Sequence, residues 1–420
     1  MTVGDTQSTI DAVWRLESPK LIARVARLVR DVGLAEELAQ DVFVIALEQW
    51  PESGVPDNPG AWLMATAKHR AIDQLRRGER LEKKYAQLAR DLATSPDDGY
   101  EPDLDAFDDD IGDDMLRLVF TACHPVLSRE ARVALTLRLL GGLTTPEIAR
   151  AYLVPESTIQ QRIVRAKRTI AKKKIPYEIP QGSELASRLS SVLEVVYLIF
   201  NEGYAATAGD DWVRPELGED ALRLGRVLAG LMPKEPEVHG LVALMEIQAS
   251  RFAARVGPSG EAILLFDQDR SRWDHLLIRR GLAALDRAEH LGGHAGRYVL
   301  QASIAACHAR ARTADETNWS RIAALYWALG QIMPSPIVEL NRAVAVGEAV
   351  GPAAGLELID QLGDSLPGYH LLHSVRGDLL ERLKRFDEAR EEFETAASQA
   401  TNERERTLLR DRAATCVGRV

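Results

Sequence analysis

Apolar residues recur with the 3.6-residue period of an α-helix along most of the chain, and clusters of Gly, Pro, Asp and Asn separate the apolar segments. This pattern predicts an all-α protein. Residues 8–80 should form three or four helices, one of which begins at Ser18-Pro19. Another covers Ala35–Trp50 and should carry its acidic residues, Glu36 among them, on the outer face.

A loop rich in Pro and Gly follows at Pro51–Pro59, and Asn58 should cap a helix that runs from Gly60 to about Arg77. A plain helical bundle with a basic rim is one interpretation of this segment. The inward positions of the helix are predicted to be Trp62, Ala65, Ile72 and Leu75. Its outward basic residues are Lys68, Arg70, Arg76 and Arg77.

The segment Thr144–Lys174 predicts two short helices joined by a tight turn. Thr144 and Glu147 have the spacing of a capping box, and Pro146 occupies a first turn, where its missing N–H costs little. Leu153-Val154-Pro155 ends the first helix. The second helix should bury one stripe, formed by Ile159, Ile163, Ala166 and Ile170. Two short helices with a basic second member are typical of a helix-turn-helix.

The side chains off this stripe suit DNA. Glutamine can bind adenine through two hydrogen bonds and arginine can bind guanine, whereas lysine and further arginines hold phosphates. An amphipathic hairpin with a solvated charged face is the alternative. The candidate DNA-binding residues on this face are Gln160, Gln161, Arg162, Arg165, Lys167 and Arg168.

Charge is spread unevenly along the 420 residues. The composition is that of an ordinary globular protein with two or three domains, at 46% hydrophobic and 27% charged residues with a net charge of −10. However, Asp91–Asp114 contains eleven acidic residues and no basic one, whereas Thr144–Lys174 contains eight basic residues against two acidic ones. This asymmetry favours a nucleic-acid-binding protein with an acidic linker. The linker should be extended or disordered. A spacer that only keeps the protein soluble is the alternative to a linker with a function of its own.

Several other function classes find no support in the sequence. Three distant cysteines, Cys123, Cys307 and Cys416, predict small buried residues rather than disulfides or a zinc site. No signal peptide and no apolar run long enough for a bilayer is present, so we expect no membrane contact and a cytoplasmic protein. The C-terminal helices carry no phosphate loop, nucleophile elbow or metal motif. We therefore expect no enzyme activity, catalytic residue, metal or cofactor.

The last third of the chain repeats every 34 residues. This period and the small and large residues at its fixed positions are typical of a tetratricopeptide repeat, whose stacked helix pairs form a concave surface. A looser unit ends at Pro334, with Tyr326 at a large position. The four matched pairs are Ala343 and Gly377, Gly355 and Ala389, Ile359 and Phe393, and Pro367 and Thr401.

Two further segments stand out beyond residue 180. Asn201–Tyr204 ends an apolar helix with polar residues, and Phe266–Asp274 is a charged loop with aromatic residues near each end. Asp267 and Asp269 could in principle be metal ligands or catalytic carboxylates, but we expect them to be turn and cap residues. A docking surface against the DNA-binding modules is the better functional interpretation.

Longer motifs carry a family resemblance. AEELAQDVFVIALEQW, followed by NPGAWLMATAKHRAIDQLRR, resembles the second conserved region of extracytoplasmic-function RNA polymerase sigma factors. The helix-turn-helix, with VPESTIQQRIVRAKR, resembles their fourth region, so the likeness covers roughly residues 10–175. About 245 further residues follow, and the segments FTACHPVLSREARVALTLRLLGGLTTPEIARAYLVPE and YLIFNEGYAAT resemble the subgroup that has a tetratricopeptide-like C-terminal domain.

The resemblance implies core RNA polymerase and promoter DNA as partners. It places sigma region 2 at residues 1–90, the linker at 91–113, region 4 at 114–180 and a regulatory helical domain at 181–420, which would contact the sigma modules. Region 4 would read the −35 element, with Ser157 and Thr158 holding a phosphate at the helix N-terminus. The −10 element would be opened and read by Asn58, Trp62, Lys68, Arg70, Arg76 and Arg77. The polymerase clamp would meet Glu37, Gln40, Asp41 and Glu48.

Two other functions are open on the sequence. One is a stand-alone helix-turn-helix regulator with a tetratricopeptide-like sensor domain, in which the AEELAQDVF module has no role. The other is an enzyme within the C-terminal helices, but the sequence contains no catalytic motif that supports it.

Overall fold

The computed structural model describes residues 3–90, 111–204, 214–257, 263–401 and 403–417. Within these ranges the chain forms eighteen α-helices and several short 3-10 turns, which confirms the predicted all-α class. Contacts divide the chain into an N-terminal unit, Met1–Val195, and a C-terminal unit, Val196–Val420. The finer boundaries at residues 90, 113 and 180 remain predictions, and most of the acidic linker, residues 91–110, lies outside the described residues.

In the described residues of the N-terminal unit, eight helices begin. The first three, α1 to α3, pack together around buried residues such as Val25, Ala39 and Leu63, while α5 and α6 pack against α7. The helices are α1 Val3–Val29, α2 Val32–Ser53, α3 Pro59–Arg90, α4 Ile111–Ala122, α5 Arg129–Leu139, α6 Thr145–Ala151, α7 Glu156–Lys172 and α8 Gly182–Tyr204, the last of which continues into the C-terminal unit.

Two prolines lie inside helices that were expected to begin or end at them. The helix α1 passes through Pro19, so the predicted start at Ser18 is wrong. A proline inside a helix costs about 3 kcal/mol. Ile10 and Leu21, on either side of Pro19, are both buried, and their burial offsets this cost. Likewise α2 includes Pro51 and ends at Ser53, one turn later than expected.

The buried face of α3 differs from the predicted one. Leu63, Ala67 and Ala71 point into the core, whereas Ala65 is exposed, so its predicted inward position is wrong. Trp62, Ile72 and Leu75 lie half-buried at the edges of the contact. The expected stripe followed the largest apolar residues, but small alanines at i and i+4 let this helix approach its neighbours closely.

The part of the C-terminal unit that the structure describes contains the end of α8 and ten further helices. Its most buried helix is α10, which packs against α9, α11 and α12. The helices are α9 Pro215–Leu231, α10 Pro236–Ala249, α11 His275–His290, α12 Arg297–Arg310, α13 Trp319–Ile332, α14 Pro336–Ala349, α15 Pro352–Leu362, α16 His370–Arg382, α17 Phe386–Gln399 and α18 Glu403–Cys416.

The 34-residue repeat is confirmed in the helix positions. The helices α14 and α16 begin at Pro336 and His370, and α15 and α17 begin at Pro352 and Phe386, so both pairs are 34 residues apart. Three of the four matched pairs are buried, namely Ala343 and Gly377, Gly355 and Ala389, and Ile359 and Phe393. The fourth pair, Pro367 and Thr401, is exposed, so its predicted packing role is wrong. Because each pair of helices packs on its neighbour, the sequence period becomes a structural one.

Gly355 marks the closest approach within this repeat. A Cβ at this position would lie 2.8 Å from the carbonyl oxygen of Ala343 and 3.0 Å from the Cα of Gly347. We expect Gly355→Ala to lower the free energy of unfolding by about 1–3 kcal/mol, because backbone atoms must move.

Gly230→Ala is the matched control: its Cβ would meet nothing within 4 Å in α9, and the helical preference for alanine should raise stability by about 0.5–1 kcal/mol. Chemical denaturation followed by circular dichroism measures both, and equal effects would contradict the close-approach argument.

Candidate nucleic-acid interface

The helix-turn-helix forms as predicted from its caps and its apolar stripe. The side-chain oxygen of Thr144 accepts a hydrogen bond from the Glu147 N–H at 3.3 Å, and the Glu147 carboxylate accepts one from the Thr144 N–H at 2.7 Å. Leu153 adopts a left-handed backbone with φ of 50°, which turns the chain between α6 and α7. All four predicted stripe residues of α7 are buried: Ile159, Ile163, Ala166 and Ile170.

The opposite face of α7 is polar and open to solvent. Arg165 and Arg168 are exposed, and neither forms an ion pair with any residue that the structure describes. Thr158, Arg162 and Lys167 are half-buried. The helix begins after Pro155, which provides no side-chain cap, so its first N–H groups are not satisfied by a cap side chain. The exposed candidates are Ser157, Gln160, Gln161, Arg165 and Arg168.

The basic helix α3 presents a second candidate face. Asn58 caps the helix, since its side-chain oxygen accepts a hydrogen bond from the Ala61 N–H at 3.0 Å. Trp62 is half-buried with its ring edge against Trp50, at a centroid distance of 5.3 Å. Arg70 pairs with Asp41 of α2 at 2.9 Å. Arg76 and Arg77 are exposed and Lys68 is half-buried.

Glu36 is buried rather than outward-facing, so the expectation for it was wrong. Its side chain is 4% exposed and pairs with Arg138 of α5, Nε to Oε1, at 2.6 Å, and with Lys167 of α7. Gln40 donates a further hydrogen bond to it at 2.7 Å. Two cations from helices distant in the sequence thus take the place of the water that would hydrate an exposed carboxylate. As a result Lys167, a candidate phosphate contact, is directed at α2.

Asp114 is a second buried carboxylate that sequence reasoning missed. It is fully buried in the first turn of α4 and pairs with Arg24 at 2.9 Å, Arg117 at 2.7 Å and Arg27 at 3.6 Å. Burial raises the pKa of Asp114, and the three arginines oppose this change. The sequence places Asp114 at the end of the acidic run and the start of region 4, and it does not indicate that Arg24 is a partner of this carboxylate. The signal that could have found it is its position four residues before Leu118, which is also buried.

Comparisons with known proteins divide the chain into three regions. Residues 13–81 match Sigma-70 region 2, and residues 117–170 match Sigma-70 region 4. Residues 188–289 match a family of unknown function, DUF6596. No solved structure matches the chain.

Similar proteins show the family to which the chain belongs. An uncharacterised protein of Rhizobium meliloti (strain 1021) is 42% identical over 96% of this chain and 94% of its own length. The ECF RNA polymerase sigma factor SigK of Mycobacterium ulcerans (strain Agy99) is 32% identical over 33% of this chain and 71% of its own length. The chain belongs to the ECF RNA polymerase sigma factors. A second sigma factor of the same name, from Mycobacterium bovis (strain BCG / Pasteur 1173P2), is 28% identical over 40% of this chain.

In this sigma factor the two buried carboxylates join region 2 to region 4. Glu36 lies in region 2, whereas its partners Arg138 and Lys167 lie in region 4. Arg24 of region 2 reaches Asp114, just before region 4. The Tyr177 hydroxyl donates to the carbonyl oxygens of Ala23 at 2.9 Å and Asp114 at 3.1 Å. The two conserved regions therefore pack together in the N-terminal unit.

The residues expected to contact polymerase lie on α2 of the sigma factor. Glu37, Asp41 and Glu48 are exposed, while Gln40 is half-buried and bonded to Glu36. Asp41 also pairs with Arg70, a candidate DNA contact. These positions fit an acidic face on α2, and their contact with polymerase remains a prediction.

Other classes of site have no counterpart in the parts of the chain described. No group of three His, Cys, Asp or Glu side chains there could hold a metal ion. Among the described helices, none has both the length and the apolarity that a membrane span requires. Cys123, Cys307 and Cys416 are buried free thiols, as predicted. Asp269 caps the 3-10 turn at Arg270–Arg272, and Asp267 is the last residue of the 3-10 turn Leu265–Asp267, as expected for turn and cap residues. Asp274 caps the helix α11.

Proposed function

We propose that this sigma factor binds core RNA polymerase and directs it to promoters by reading two DNA elements. The observation that carries the proposal is the face of α7, where the exposed amides and arginines stand opposite a fully buried apolar stripe. Side chains of these types suit base edges and phosphates in a major groove. A helix presented by a short turn is the usual geometry for such contacts.

The proposal divides the DNA contacts between the two regions. Region 4 reads the −35 element through Gln160, Gln161, Arg162 and Arg165, with Ser157 and Thr158 holding a phosphate at the start of α7. In region 2, the residues from Asn58 to Arg77 bind the −10 element, and the exposed acidic face of α2 meets the polymerase. Lys167 and Arg168 hold phosphates; for Lys167 this requires separation from Glu36.

The C-terminal unit modulates this activity in our proposal. What supports it is the helix α8, which starts in the N-terminal unit and ends in the C-terminal unit. Its first half packs within the N-terminal unit: Arg188 donates to the Phe120 carbonyl oxygen at 3.0 Å, and Ser191 donates to that of Cys123 at 2.6 Å. Arg132 of α5 donates to Ser191 at 2.5 Å.

Run-off transcription with core polymerase tests the proposal. We expect a specific transcript only when polymerase, promoter and protein are all present. Tight promoter binding by the protein alone, with no transcript, would favour the stand-alone regulator instead. For modulation, a chain that ends at Tyr204 should give a different promoter output from the full chain. A chain that ends at residue 180 would lack the contacts of Arg188 and Ser191, so the shortened chain for this test ends at Tyr204. Equal output from a folded shortened chain would contradict modulation.

A further inference from the structure

Two segments with no role in promoter recognition meet at one side chain in the C-terminal unit. The last residues of α8, Asn201–Tyr204, and the Phe266–Asp274 loop are separated by more than sixty residues. The guanidinium carbon of Arg251 lies 5.6 Å from the ring centroid of Tyr204 and 5.8 Å from that of Trp273. These distances are within the range of cation–π contacts. Arg251 therefore links the two segments.

More positive charge surrounds this point. Arg255 lies one helical turn further, with its guanidinium carbon 3.8 Å from the Tyr204 ring centroid. Arg270 approaches Trp273 to 4.7 Å. Burial, followed by the charges of Arg251 and Arg270, lowers the pKa of His308 to about 3, so His308 is neutral at physiological pH. Three arginines thus gather around two aromatic rings.

Arg251 contacts two aromatic rings, but its buried Nε has no acceptor among the described residues. The residue is 8% exposed, its Nε has no hydrogen-bond partner, and no described carboxylate forms an ion pair with it. The nearby Glu202 pairs with Arg214 at 2.5 Å. Arg270 differs, because it donates to the carbonyl oxygens of His308 and Ala311 at 2.6 and 2.7 Å. Leaving a charged donor buried without an acceptor is costly.

Trp273 adds a second unused donor beside Arg251. It is 4% exposed, and its indole N–H has no hydrogen-bond partner among the described residues. A guanidinium and an indole offer only donors, so a matching ligand must supply acceptors and negative charge. Phosphate and carboxylate oxygens meet both needs. The surrounding aromatic rings exclude water and strengthen the attraction.

We propose that Arg251 and Trp273 form an oxyanion-binding site in the C-terminal unit, which takes the phosphate or carboxylate group of a small ligand. The site lies within the residues that match the family of unknown function. It does not depend on promoter recognition, so its test and that of the sigma function can fail separately. A ligand bound here would add stability to the C-terminal unit.

Thermal unfolding of the full chain with added inorganic phosphate or sodium acetate tests this site. Sodium chloride at equal ionic strength is the control for screening. We expect a saturable rise of the unfolding midpoint with phosphate, acetate or both. A larger response to phosphate identifies a phosphate site, and a larger response to acetate identifies a carboxylate site. An equal rise with all three salts would overturn the proposal.

The Arg251→Met variant should bind the anion more weakly than the parent, yet be no less stable than the parent when the anion is absent. The variant should weaken binding of the preferred anion by about 10- to 100-fold, because a charge-assisted contact is lost. In chloride alone it should be at least as stable as the parent, since an unpaired buried charge is removed. Arg272→Met is the matched control, because Arg272 is exposed and precedes Trp273 in the Phe266–Asp274 loop, and it should leave anion binding unchanged. The proposal is overturned if Arg251→Met is less stable than the parent in chloride and neither anion raises the unfolding midpoint of the parent. Arg251 would then be purely structural.

An internal carboxylate is the competing partner. Asp210 and Asp211 follow Tyr204 in the sequence and lie outside the described residues. If the parent ignores both anions while Asp210→Asn/Asp211→Asn gains a saturable response, the arginine is held by its own chain and the ligand site is refuted. The same response in the parent and in this variant supports an external oxyanion.

Discussion

Replacing Asp114 with alanine should lower the free energy of unfolding of the N-terminal unit by about 3–5 kcal/mol. The carboxylate is fully buried and contacts three arginines, of which Arg24 is itself only 9% exposed at its side chain. Removal of the carboxylate deprives the buried Arg24 of its contact with Asp114 and takes away the shared partner of Arg27 and Arg117. The simultaneous loss of three charged contacts to one buried group produces the large effect.

Asp113→Ala is a matched control for this variant. Asp113 precedes Asp114 in the first turn of α4 but is exposed. Both carboxylates interact with the helix dipole, which contributes about 0.3–1 kcal/mol, so the difference between the variants isolates the buried contact. Urea denaturation followed by circular dichroism and tryptophan fluorescence measures both. A difference below 1 kcal/mol would show that the arginines around Asp114 reach water instead.

A double-mutant cycle sharpens this result. Arg24→Met removes the most buried cation, and in the Asp114→Ala background it should recover part of the lost stability. Additive losses in the double variant would mean that the two side chains act independently. Because Arg24 belongs to region 2 and Asp114 precedes region 4, the coupling energy also measures how strongly the two regions hold each other.

The features that could be predicted from the sequence are those that depend on residues close together in the chain. The capping box of Thr144 and Glu147, the Asn58 cap and the buried stripe of α7 all depend on residues within one or two turns. The 34-residue repeat was also visible, because each helix pair packs on a pair nearby in the sequence. Such features could be predicted because the sequence holds both partners within a short window.

Long-range partners explain the failures. Glu36 was placed outward because charged residues normally are, but its cation Arg138 lies 102 residues away. Asp114 ends a run of eleven acidic residues, and this run does not indicate its burial, because its partner Arg24 lies 90 residues earlier. Of the candidate face on α7, the exposure of Gln160, Gln161 and Arg165 agrees with the prediction, whereas the pairing of Lys167 with α2 could not be foreseen.

The combined variant Arg165→Ala/Arg168→Ala should weaken promoter binding by the polymerase holoenzyme by about 10²- to 10⁴-fold, since each charge-assisted contact is worth about 1.5–3 kcal/mol. Both side chains are exposed on α7 and have no ion-pair partner among the described residues, so their loss should leave folding almost unchanged. If both arginines hold phosphates, the slope of log affinity against log salt should fall by about 1.8, because each phosphate contact contributes about 0.9.

The variant Arg272→Ala/Arg279→Ala serves as the control of equal charge. These arginines are exposed in the C-terminal unit, so the change in net charge is the same while α7 is intact. An equal loss of promoter binding in both pairs would assign the effect to overall charge and contradict a role for α7. Binding measured across −35 sequence variants then separates the roles of the two arginines on α7. A uniform loss identifies phosphate contacts, whereas a loss that depends on the base at one position makes Arg165 or Arg168 a reader of that base.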